Sequence, residues 1–165
     1  MPTQEAKYKV GMIGVGRKGT GHANGYDHHP LTELVAAADP DPDNLALFAK
    51  RFGVRALYSD YREMLAKEDI DIAAPILPVS VNPEVVVGCA EAGVKAIFCE
   101  KPAAATLADA DAMVQECRSR GIHFAAGDAY RNFHQLWDAR KIIESGDLGD
   151  IRSINLYQAT NEISG

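Results

Sequence analysis

The chain is poor in the features that mark membrane, secreted or nucleic-acid-binding proteins. Cysteine is scarce: Cys89, Cys99 and Cys117 are the only three. Their spacings fit neither a zinc pattern nor a C-x-x-C redox pair, and an odd number in apolar surroundings points to reduced, buried thiols. A long apolar run is missing. Ile72 to Pro83, the longest uncharged stretch near the middle, is too short to span a bilayer and holds three prolines. Met1 to Lys9 is polar and lacks the apolar core of a signal peptide. The 17 Lys and Arg are scattered rather than clustered, and 23 Asp and Glu leave a net charge of −6, which speaks against nucleic acid as a partner. Metal-ligand spacing is absent, and so is any Ser-His-Asp or Cys-His arrangement. What remains is a cytoplasmic globular protein, with no membrane or nucleic-acid partner and no metal. Its 165 residues suffice for one domain with a proper core, or one domain and the start of another.

Apolar strands and helices alternate along most of the chain. Tyr8 to Ile13 is a short strand running into glycines, and a helical pattern follows from about Gly16 to His28. Glu33 to Ala38 is a second strand, ending at Asp39. Asp41-Pro42-Asp43 then combines an N-cap, a proline at the first helical position and a first-turn acid, which predicts a helix to about Phe52, stopped by Gly53. Ala56 to Tyr58 is a brief strand, and Tyr61 to Ala66 a short helix capped by Ser59 or Asp60. Ile70 to Ile76 is a strand, Pro78 to Asn82 a loop, and Pro83 starts a helix that ends before Gly93. The strand Ala96 to Cys99 follows. Thr106 and Asp109 resemble a capping box for a helix to about Arg120, and His123 to Ala126 is a further strand, with His123 expected in the core. Such alternation with short connections means βαβ units, a parallel sheet and helices on both faces. After Gly127 the pattern changes. Phe133 to Ser145 reads as an amphipathic helix, and Ile151 to Ala159 as a strand with one wet face. The expected division is therefore 1–127 and 128–165.

Two constellations carry chemistry. In Gly14-x-Gly16-x-x-Gly19, a strand lies immediately before and a helix immediately after, with Asp39 twenty residues beyond Gly19 at the end of the next strand. Gly14 permits the tight turn, Gly16 lets backbone approach a pyrophosphate, and Gly19 lets helix and strand pack closely. The helix N-terminus then offers free N–H groups and a positive dipole end to phosphates. Together these indicate a dinucleotide-binding Rossmann domain. A carboxylate at Asp39 accepts from a ribose 2′-OH and repels a 2′-phosphate, favouring NAD, while Arg17 and Lys18 keep NADP open. Asp39 could instead serve only as a turn acid ahead of Pro40. The second constellation is Glu100-Lys101-Pro102, directly after a strand and therefore over the same crevice. Lysine there serves as a donor to a substrate hydroxyl or as a proton relay; a plain surface Glu-Lys dipeptide is the competing reading from spacing alone.

The glycine turn, A-A-A-D-P-D at 36–41, R-F-G-V at 51–54, S-D-Y at 59–61, E-K-P at 100–102 and I-I-E-S-G-D-L-G-D-I at 142–151 together resemble the glucose–fructose oxidoreductase / inositol 2-dehydrogenase family, called Gfo/Idh/MocA. The resemblance covers nearly the whole chain and implies an NAD(P)-dependent oxidoreductase acting on sugars, cyclitols and related compounds. It implies a doubly wound parallel sheet followed by the start of a truncated second α/β domain. It assigns cofactor contacts to Gly14, Val15, Gly16, Arg17, Lys18, Gly19 and Asp39, and to Pro78 and Asn82 in the loop after the fourth strand. Glu100 would touch the nicotinamide side, and Lys101 both the nicotinamide ribose and the substrate, as the catalytic lysine. Arg131 matches an arginine at the start of the substrate region.

The sequence departs from the family at Asn82, where a histidine is usual. The resemblance also places the main acid/base histidine in a second domain, beyond Gly165, so this chain is expected to bind dinucleotide and to turn over poorly or not at all. Homo-oligomers of the family form through the second domain's sheet. Two other readings stay open at this point: a non-catalytic dinucleotide-binding module, acting as a redox sensor or partner subunit, and a glycine loop that holds S-adenosylmethionine.

Overall fold

The structure is a computed structural model that describes residues 6–127, 134–155 and 157. The chain divides into two compact units, 1–127 and 128–165. In the first, six strands form one sheet: β1 (Tyr8–Ile13), β2 (Thr32–Ala38), β3 (Ala56–Tyr58), β4 (Ile72–Pro75), β5 (Ala96–Glu100) and β6 (His123–Gly127). Every pairing is parallel and the order is β3-β2-β1-β4-β5-β6. This is the doubly wound Rossmann order, with a topological switch point between β1 and β4.

The helices α1 (Arg17–His28), α2 (Pro42–Phe52), α3 (Tyr61–Lys67), α4 (Asn82–Glu91) and α5 (Leu107–Ser119) connect these strands. The expected start signals operate. Asp41 accepts from the Asp43 amide ahead of α2, and Gly53 closes that helix with φ of 72°. Asp60, rather than Ser59, caps α3. Thr106 accepts from the Asp109 amide at 3.1 Å and donates its hydroxyl to the Asp109 carboxylate at 2.7 Å, so it caps α5, with a side-chain bond in place of the reciprocal backbone bond of a capping box.

Each sheet face carries its own core. Val10, Met12, Ala37, Ala74 and Ile76 pack with Ala23 of α1 and Phe48 of α2. Ile13, Ala36, Ala38, Ala73, Ile97 and Cys99 pack with Met64, Val86, Cys89, Met113 and Cys117 from the other helices. The alanines of β2 and β4 leave room for helices to seat close to the sheet. All three cysteines are free and buried, and burial pushes the Cys89 thiol up to about 12.

Two readings need correction. His123 is exposed, because β6 is an edge strand paired only with β5. In the second unit α6 (His134–Glu144) is present, but residues 151–155 and 157 form no strand, contrary to the strand expected over 151–159. A lone strand has no ladder to join. No helix among the described residues is long and apolar enough to cross a membrane.

At the N-terminal edge of the sheet, Asp71 ties three strands together. Its carboxylate accepts from the Lys9 amide at 2.8 Å and pairs with Lys95 Nζ at 2.6 Å, while its carbonyl accepts from the Lys95 and Ala96 amides. The Lys95 ammonium, then the Lys9 amide, holds the carboxyl below its ordinary value of 3.8. The native pKa is thus depressed relative to the unfolded chain. Its stabilisation is complete above the unfolded value and lost as pH falls through the lower native one. Asp71→Asn should therefore lower the urea midpoint at pH 7. The gap from the parent should narrow below about pH 4. A gap independent of pH would contradict this account.

Candidate functional site

The site lies where the strand order reverses, beyond the carboxyl ends of β1 and β4. At the end of β1, Gly14 turns with φ of 79° and donates its amide to the Ala38 carbonyl at 2.8 Å. A Cβ at Gly14 would meet the Ile76 carbonyl oxygen at 2.6 Å, and one at Gly19 would meet the Gly14 carbonyl oxygen at 1.9 Å. Both glycines are thus required by the protein's own packing. Gly16 is different: its Cβ would touch only Asn44 Nδ2, at 3.6 Å, an ordinary contact. Nothing in the fold excludes a side chain there, so the bare backbone keeps the adjoining cleft open.

The first turn of α1 faces that cleft without a cap. Gly16 occupies the N-cap position and supplies no side-chain acceptor, and the first turn has no acid. Side chains do cap α2, α3 and α5. Thr20 is the first residue of α1 whose amide reaches a helical carbonyl, that of Gly16 at 2.9 Å. The amides before it are donors presented to whatever enters the cleft. This turn fits a dinucleotide's pyrophosphate: open backbone, unspent donors and a positive dipole end.

The turn is braced from both sides. Val15, whose side chain is buried, donates its amide to Asp39 Oδ2 at 2.8 Å, and its carbonyl accepts from Thr20 Oγ1 at 2.9 Å. Asp39 Oδ1 accepts from the Asp41 amide at 2.9 Å and from Asn44 Nδ2 at 3.3 Å. Asp39 is only 7% exposed, so its carboxylate is fixed at the end of β2 by three donors. Asn44, which orients it, was not anticipated from the sequence.

A cleft of about 500 Å³ gathers most of the expected residues. Gly14, Gly16, Gly19, Arg17 and Lys18 line it, with Asp39, Pro78 and Glu100. A smaller hollow of about 270 Å³ shares Asp39 and continues past Tyr61, Leu77 and Val81. Arg17 also lines an adjoining groove of about 750 Å³, together with Lys50. Lys101 follows Glu100 at the end of β5, is exposed, and makes no ion pair among the described residues.

Asn82 begins α4, its side chain is fully buried, and Nδ2 donates to the Ala103 carbonyl at 2.8 Å. It does not line the cleft, and it fastens the loop after Lys101. Arg131 lies outside the described residues. The sequence reading missed His22 altogether. It projects from α1 and pairs through Nε2 with Glu100 Oε2. The available signal was its position three residues after Gly19, which puts both on the same helix face.

With this geometry in view, the comparisons with known proteins are informative. Residues 8–127 match the Gfo/Idh/MocA model, described as an oxidoreductase family with an NAD-binding Rossmann fold. Myo-inositol 2-dehydrogenase of Thermotoga maritima is 32% identical over 144 residues, covering 86% of this chain and 42% of the relative. The crystal structure of myo-inositol 2-dehydrogenase from Lactobacillus plantarum superposes with a TM-score of 0.81 at 30% identity, over 88% of this chain and 43% of that one. Scyllo-inositol dehydrogenase from Lactobacillus casei, solved with NAD(H) and scyllo-inositol, gives 0.80 at 25% identity, over 87% and 43%. The chain spans about two fifths of the length of the curated relatives it matches.

Proposed function

This chain belongs to the Gfo/Idh/MocA oxidoreductase family, and from that premise we propose that residues 8–127 form the cofactor half of a dehydrogenase. The reaction is hydride transfer between a carbinol carbon of a small sugar or polyol and a nicotinamide cofactor. The observation that carries this reading is Gly16. It leaves the backbone bare where the fold does not require it, beside an uncapped helix N-terminus and between Asp39 and Glu100.

In this reading the first-turn amides of α1 would hold the pyrophosphate, and Asp39, through the acceptor site left on Oδ2, would accept a hydrogen bond from an adenosine ribose hydroxyl. The hollow past Tyr61, Leu77 and Val81 takes the adenine on largely apolar walls. The bound nicotinamide supplies the hydride chemistry. Glu100 meets the nicotinamide end of the cleft. Lys101 would donate from Nζ to the substrate oxygen and steady the negative charge that grows there as the hydroxyl proton passes to the acid/base histidine that the family resemblance assigns to the second domain.

Asp39 sets the choice of cofactor. Its buried carboxylate would face the 2′-position, where a phosphate brings like charge. The parent should bind NADH at least about tenfold more tightly than NADPH, and Asp39→Ala should erase most of that gap. Fluorescence titration with both nucleotides reads it directly. Binding of neither nucleotide by the parent would sink the proposed function.

A further inference from the structure

Deepening that reading, and resting on its assignment of the cleft to a nicotinamide dinucleotide, we propose that His22 is a positioning residue. Through Glu100 it fixes the segment that carries Lys101.

Three observations converge on this role. First, the His22–Glu100 pair is largely enclosed, with side chains 20% and 16% exposed. Removing such polar groups from water has a cost that a simple packing contact between α1 and β5 would avoid. Second, the imidazole is held on another side. Its ring lies 5.8 Å from that of Phe98, two residues before Glu100 and so on the same sheet face. Phe98 in turn covers Gly127, where a Cβ would fall 2.0 Å from the Phe98 ring. A side chain at Gly127 would displace Phe98 from its place beside His22. Third, the pair engages only one oxygen of Glu100, and Glu100 lines the cleft. His22 therefore orients this carboxylate while leaving it lone pairs for a ligand.

The far end of the segment is fastened independently. Asn82 of α4 donates to the Ala103 carbonyl at 2.8 Å from a fully buried position. Residues 100–103 are thus gripped by α1 at one end and by α4 at the other, with Lys101 between the two grips. Helix α1 also presents the uncapped first turn assigned to the pyrophosphate. One rigid helix therefore sets both where the diphosphate rests and where Glu100, with Lys101 beside it, stands. Such supporting contacts hold a site's functional groups at productive geometry.

The test compares NADH with ADP, which has the adenosine and diphosphate but no nicotinamide riboside. If His22 acts through Glu100, His22→Ala should weaken NADH about tenfold, the loss expected for one misdirected charged hydrogen bond, and leave ADP within about twofold. His22→Gln, which keeps a donor near the Nε2 position, should recover most of the NADH affinity. Combined with Glu100→Gln, His22→Ala should add little to the effect of Glu100→Gln alone. Equal losses for NADH and ADP in His22→Ala would mark a merely structural residue and overturn the proposal. So would unchanged NADH binding, or additive losses in the double variant. A parent chain that binds neither ligand would instead overturn the nucleotide assignment, and this inference with it.

Discussion

Replacing Gly19 with alanine should destabilise the protein by about 3 kcal/mol and abolish dinucleotide binding, the largest paired loss of stability and affinity expected from any single methyl group in this chain. The added Cβ would sit 1.9 Å from the Gly14 carbonyl oxygen, a backbone atom that no rotamer change can move. Gly14 is itself tethered, because its amide is bound to the Ala38 carbonyl at 2.8 Å. Relief must come from shifting α1 off the sheet, which disturbs the first-turn amides and the reach of His22. Urea unfolding and NADH titration of the same preparation check both parts. Gly16→Ala is the informative contrast. Its Cβ has room in the protein, so stability should stay within about 0.5 kcal/mol of the parent while NADH affinity falls. A Gly19→Ala protein as stable as the parent would show that the helix has slack the packing does not reveal.

Lys101→Met should separate binding from chemistry. The exposed ammonium makes no ion pair among the described residues, so its loss should leave the fold intact, and NADH affinity should fall by no more than the one ribose contact assigned to it, about tenfold. Under the proposed function, polyol-dependent reduction of NAD⁺ by a protein that joins this chain to a substrate domain should fall about 10²- to 10⁴-fold, the range for removing a group that handles a proton or the charge it leaves behind. The fall should appear mainly in kcat, because the interaction strengthens as negative charge develops on the substrate oxygen. Undiminished turnover would remove Lys101 from the mechanism.

The sequence was most legible where the physics is local. Asp41-Pro42 and Gly53 bound α2 within their own few residues, and the glycine turn declared its context through a strand before it and a helix after it. Alternation of short apolar runs with helical patterns sufficed for the parallel sheet. Legibility failed where a residue's role is set by a distant partner. His22 and Glu100 are 78 positions apart, and nothing in either neighbourhood announces the pair. Asn82 looked like a loop residue on the crevice, but Ala103, 21 positions away, draws it into the interior. His123 looked like a core residue because its neighbours are apolar; its exposure follows from β6 being last in the sheet, a property of topology rather than of the local pattern. Residues 151–155 and 157 form no strand for a related reason, since alternation describes a face without supplying the neighbour that would make it a strand.

The strand order also shapes how the chain folds as it emerges from the ribosome. Residues 8–58 contain both partners of every β1–β2 and β2–β3 pairing, so these two pairings need nothing made later. Its free edge is then β1, the first strand made and the one destined for the centre. Val10 to Ile13 find their second partner only in Ile72 to Pro75, some sixty residues later. During that interval the inner edge of β1 stands unpaired, and pairings so distant in sequence form slowly compared with a helix or hairpin. The nascent chain therefore passes through a stage at which its central edge is open to strands from other molecules. Synthesis rate across residues 59–75 decides how long that stage lasts.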